Sequence, residues 1–81
     1  MKRTIIAIAN NNPDVLGRVA NLISRSQLPV DALTMQKLAG GKGQADISIL
    51  LDVNQQNMPR LARLVSQMDR LIDILSVADM T

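Results

Sequence analysis

At 81 residues the chain forms one domain, residues 1–81, with a thin core. Its hydrophobic fraction is 47%, yet it has no Phe, Tyr or Trp, so the core rests on Ile, Leu, Val, Ala and Met, and the apolar surplus points to an interface with another chain. A net charge of +2 from dispersed basic residues argues against nucleic acid, and the absence of cysteine excludes disulfides and thiolate chemistry.

In chain order, Arg3 to Ala9 is an Ile-rich strand bounded by asparagines. The apolar run after Met1-Lys2-Arg3 stops at Asn10, too short for a secretory signal, and no segment reaches membrane-spanning length, so the cytoplasm is the expected location. Asn12 or Asp14 can cap the next helix, with Pro13 in its first turn. This helix runs to Ser26 and buries Val15, Leu16, Val19, Leu22 and Ile23, which recur at spacings of three and four. Gly17 inside it costs up to about 1 kcal/mol against alanine. Close helix–sheet packing would explain it, and so would close approach of a ligand or a second chain.

Gln27-Leu28-Pro29 breaks the helix, and a second strand covers Val30 to Leu38. Ala39-Gly40-Gly41-Lys42-Gly43 is a hairpin connection. The third strand, Gln44 to Val53, turns Ile47, Ile49, Leu51 and Val53 to one side. Asp46, Ser48, Leu50 and Asp52 take the other, where Leu50 hints at partial cover. Asn57 is placed to cap a second helix with Pro59 in its first turn. Leu61, Leu64, Val65 and Met68 form the apolar stripe of that helix, opposite Arg60, Arg63 and Arg70. The last strand is expected over Ile72 to Ala78. The sequence of elements is βαββαβ, the ferredoxin-like α+β pattern. It predicts an antiparallel four-stranded sheet with two helices on one face and the other face open.

Catalysis has few tools in a chain without His, Cys, Tyr or Glu. Asp46 and Asp52 share a strand face about 20 Å apart, too far for a carboxylate pair. Asp69 and Asp73 are expected to bracket a solvated turn rather than a metal. Gly40 to Gly43 lies between strands, whereas a phosphate-binding loop needs a helix after it. No catalytic residue, metal or cofactor is therefore expected. The pattern also occurs in RNA-recognition domains, but those stack bases on sheet aromatics that this chain lacks. The strand–turn–helix junction at Asn10-Asn11-Asn12-Pro13-Asp14 remains. Asn11, main-chain N–H groups near Asp14, Val15 and Leu16, and nearby apolar side chains could hold a small amino acid. An asparagine-rich turn that only caps a helix explains the same residues.

The stretch Asn11, Leu16, Arg18, Val19, Leu22, Ile23, Ser24, with Val30-Asp31-Ala32-Leu33-Thr34 after it, resembles the ACT domain of acetolactate synthase small subunits. A second, separate likeness is Gln67-Met68-Asp69-Arg70-Leu71-Ile72-Asp73-Ile74. The resemblance implies a regulatory subunit without chemistry of its own. It would bind and activate the thiamine-diphosphate-dependent large subunit in branched-chain amino-acid synthesis. It also implies a homodimer through sheet edges, with an inhibitory amino acid, usually valine, held between protomers. The candidate ligand-binding set is Asn11, Asn12, Asp14, Val15, Leu16, Pro29 and Val30, and of the family's polar trio only Asn11 is kept. Two of these positions depart from the family. Asp14 stands where the family has glycine, and its carboxylate would repel that of a ligand. Pro29 stands where the family has asparagine and offers neither a side-chain hydrogen bond nor an N–H. The pattern is similar to short, single-domain subunits of valine-insensitive isozymes. Two other functions fit the residues: a free-standing ACT sensor of a small amino acid, and a ligand-free assembly module that binds through the open sheet face and the arginines of the second helix.

Overall fold

A computed structural model describes residues 1–40 and 43–80. Its elements are β1 (Lys2–Asn10), α1 (Pro13–Ser26), β2 (Val30–Lys37), β3 (Gln44–Asp52), α2 (Met58–Asp69) and β4 (Ile74–Asp79). The sheet order is β2-β3-β1-β4, and every neighbouring pair is antiparallel. This is the ferredoxin-like βαββαβ arrangement expected from the pattern. Of the expected hairpin connection, Gly41 and Lys42 lie outside the described residues.

Strand periodicity builds the core. Ile5, Ala7 and Ala9 of β1 and Ile47, Ile49 and Leu51 of β3 are all fully buried on one sheet face. The helices add Val15, Val19 and Ile23 from α1 and Leu61, Leu64 and Met68 from α2 to the same cluster. Each large aliphatic side chain removed from water contributes roughly 1.5–3 kcal/mol, so these few positions carry most of the favourable term. Val65 of the expected stripe is half-buried at its margin, and so is Leu22. The opposite sheet face is open. Ile6, Ile8 and Leu50 are half-buried there among Thr4, Asp46, Ser48 and Ser76.

Three local expectations are corrected, and one of the two readings of Gly17 is excluded. Asn57 occupies the N-cap of α2 but has helical dihedrals (φ −90°, ψ −11°), and its side chain makes no capping bond. The local bond comes from Asn54, whose Oδ1 accepts the Asn57 N–H at 3.0 Å. The last strand begins at Ile74 rather than Ile72. The preceding residues form a turn in which the Ile74 N–H donates to the Leu71 carbonyl at 3.1 Å, leaving Ile72 86% exposed. Leu16 does not join the buried helix face and is 38% exposed. Gly17 is exposed, and a Cβ built on it meets nothing within 4 Å, so helix–sheet packing does not account for it.

Candidate ligand site at the strand–turn–helix junction

The junction between β1 and α1 is held by main-chain bonds to two other segments. The Asn10 N–H donates to the Asp73 carbonyl at 2.8 Å, and the Asn11 N–H to the Gly43 carbonyl at 2.7 Å. The turn thus ties the β2–β3 hairpin to the approach of β4. The Asn12 N–H closes back on the Asn10 carbonyl at 2.8 Å. Asn12, extended at φ −112° and ψ 137°, is the N-cap of α1, and its side chain accepts the Asp14 N–H at 3.4 Å. The Val15 N–H donates to the Asn12 carbonyl at 3.1 Å. Pro13 brings no N–H. The N–H groups of Asn10, Asn11, Asn12, Asp14 and Val15 are therefore all partnered within the chain. What this end offers a ligand is side chains. Asn11, Asn12 and Asp14 are exposed, and Leu16 supplies an exposed apolar surface one turn further on. Val15 is 1% exposed and belongs to the core.

Pro29 and Val30 sit at the other end of the sheet. Val30 is paired with Leu51, whereas Asn10 is paired with Gln44. Seven residues of β3 separate those positions, about 23 Å along a strand. The candidate positions, Val15 excepted as a core residue, therefore fall into two candidate half-sites at opposite ends of one protomer. The reason is topological: β1 and β2 both run antiparallel to β3, so the end of β1 and the start of β2 point away from each other.

Around Pro29 is a concavity of about 320 Å³ whose lining includes Asp31, Asp52, Val53, Asn54 and Asn57. It carries a charge cluster that sequence spacing does not reveal. The terminal ammonium of Met1 donates to Asp52 Oδ1 and to the Val53 carbonyl, each at 2.9 Å. Lys2 Nζ donates to Asp31 Oδ2 and lies 3.7 Å from Asp52 Oδ2. The Asp31 hydrogen bond raises the Lys2 pKa above its ordinary value. The hydrogen bond from the terminal ammonium, its charge and that of Lys2 hold the Asp52 carboxyl below its ordinary value. The only available signal was the β1–β3 register, which sets Lys2 opposite Asp52. At the far edge Arg3 Nη1 pairs with Asp79 Oδ2 at 3.2 Å and fastens β1 to β4.

Among the described residues no group of three or more potential metal ligands gathers, and no helix is long and apolar enough to cross a membrane. The sequence profile of the ACT domain family matches residues 11–77. The probable acetolactate synthase small subunit of Archaeoglobus fulgidus is 30% identical over all 81 residues, and the chain spans 48% of that protein's length. The ACT domain from GTP pyrophosphokinase of Chlorobium tepidum superposes with a TM-score of 0.81 at 10% identity, covering 99% of this chain and 97% of the other. The acetolactate synthase small subunit from Thermotoga maritima superposes with a TM-score of 0.75 at 16% identity, covering 98% of this chain and 47% of the other. At those identities the superpositions speak for the fold. The profile match across most of the chain and the 30% identity over all 81 of its residues together place this protein in the ACT domain family.

Proposed function

We propose that this chain is a regulatory small subunit of acetolactate synthase. It binds the thiamine-diphosphate-dependent catalytic subunit in the cytoplasm and raises its activity. The observation that carries this is the 30% identity to a probable acetolactate synthase small subunit, in an alignment that covers the whole chain. The residue inventory agrees with a role that leaves chemistry to a partner, since His, Cys, Tyr and Glu are all lacking.

The two half-sites support a dimer as the unit of regulation. β2 is an edge strand, so one side of its backbone is unpaired in the protomer. Antiparallel pairing of two β2 edges turns the second copy end for end. Pro29 and Val30 of that copy then lie beside the Asn11 end of the first. A small branched-chain amino acid would bind between Asn11, Asn12 and Leu16 of one copy and Val30 of the other. In this chain Asp14 and Pro29 weaken such a site. The Asp14 carboxylate opposes a ligand carboxylate, and Pro29 gives it no hydrogen bond. The subunit therefore activates without classical valine feedback inhibition.

The test is acetolactate formation by the catalytic subunit with and without this protein, while valine is titrated in. Stimulation that persists in valine is expected. Stimulation abolished by valine would retain the subunit assignment and overturn the role given to Asp14 and Pro29. No stimulation and no co-elution would overturn the subunit assignment itself.

A further inference from the structure

A second concavity lies in the helix layer, where the C-terminus of α1 meets the first half of the antiparallel α2. It encloses about 250 Å³ and is lined by Arg25, Ser26 and Gln27 from α1 and its cap, and by Arg60, Arg63 and Gln67 from α2, with Leu64 as its floor. Its lining contains three guanidinium groups and no carboxylate. Among the described residues, the ion pairs join only the terminal ammonium, Lys2 and Arg3 to Asp31, Asp52 and Asp79, so these three arginines have no acidic partner.

Local electrostatics disfavours two of the three charges, whereas Arg25 lies in the last turn of α1, where a cation is favoured. Arg60 is the third residue of α2, in a first turn with no acidic residue, and a cation there opposes the helix dipole. Arg63 follows three residues later on the same face and repels Arg60. Arg25 adds a third positive charge from across the cleft. The rim is well defined. Ser26 Oγ donates to the Ile23 carbonyl at 2.6 Å and accepts the Leu28 N–H at 3.2 Å. Gln27 is the one described non-glycine residue in the left-handed region, at φ 58°, a conformation that L-residues adopt at a cost. Arg25, Arg60 and Arg63 are exposed around one concavity, and such a set suits an anion with several oxygens, because guanidinium groups bind such oxygens in pairs. A concavity of about 250 Å³ has room for a small anion.

We propose that this cleft binds a small polyvalent oxyanion of the phosphate-ester or pyrophosphate class, held by Arg25, Arg60 and Arg63. It lies in the helix layer, away from the Asn11 end of α1, and is a separate effector site that does not depend on the subunit assignment. Calorimetric titration of the isolated full chain with inorganic pyrophosphate tests it. Saturable binding is expected, weakened at least about tenfold in Arg60→Gln and in Arg63→Gln. Arg70→Gln, at the other end of α2, controls for net charge and should leave binding unchanged. Circular dichroism of each variant establishes that it is folded. No binding at millimolar pyrophosphate would overturn the proposal, as would equal weakening by all three substitutions. If pyrophosphate fails to bind while Arg60→Gln/Arg63→Gln abolishes co-elution with the catalytic subunit, the cleft belongs to a protein contact and the small-anion site is excluded.

Discussion

Asn12 shows how much one side chain settles at the junction. Its carbonyl and its Oδ1 take the N–H groups of Val15 and Asp14, so the helix start is satisfied before any ligand arrives. Recognition of any ligand at this end would therefore fall to side chains, and Asp14 is the charged one among them. Replacing Asp14 by Gly and Pro29 by Asn together removes the repulsion and restores an amide. The double variant is expected to bind valine measurably by calorimetry where the parent does not. A double variant with no binding heat would mean that these two positions do not set the response. Gly17 makes a different case. Its missing side chain faces open space, so Gly17→Ala should raise stability by about 0.5–1 kcal/mol, read as a shift in the urea midpoint. A stable Gly17→Ala protein that has lost co-elution with the catalytic subunit would assign the glycine to close approach of that partner.

Among the elements, the edge strand β2 is the one the proposed dimer would use. Leu38 donates to the Gln44 carbonyl at 3.0 Å, and the β2–β3 register continues from there through Lys37↔Ala45 and Met35↔Ile47. The two-residue alternation of an antiparallel ladder then turns the N–H groups of Lys37, Met35 and Leu33 outward. Lys37→Pro removes one outward donor and no ladder bond. It is expected to leave the fold intact and shift the protein to monomer, as measured by sedimentation. A fully dimeric Lys37→Pro protein would place the interface elsewhere. Element by element, legibility followed the strength of the period. The α1 residues Val15, Val19 and Ile23 and the β3 alternation ending at Val53 were readable because each buries one regular face. The start of β4 was not, because Ile72 looks like a strand residue but sits in a turn closed by Leu71 and Ile74. The candidate site was legible only in part. Asn11 can be singled out locally and Pro29 only through the family resemblance, and that they face opposite ends follows from strand directions and pairing.

At the scale of the whole molecule, the composition sets the stability problem. A chain of 81 residues without aromatics gains little from its core, and this fold leaves one sheet face and both sheet edges uncovered. Ile6, Ile8 and Leu50 on that face remain half-buried, and Leu75 on the edge strand β4 is 49% exposed. Folding coupled to association would offset the thin core, because any contact made only by folded chains adds to apparent stability. The consequence is a melting temperature that depends on protein concentration. A tenfold increase strengthens a dimer by about 1.4 kcal/mol. Divided by the unfolding entropy of two chains of this length, that is a rise of about 4 °C per decade. Thermal melts by circular dichroism across two decades of concentration measure the slope directly, and Lys37→Pro should flatten it. A parent protein whose melting temperature stays constant while sedimentation reports a monomer would mean that the single βαββαβ layer is stable alone. The two half-sites would then remain apart, and regulation by a ligand held between copies would have no structural basis.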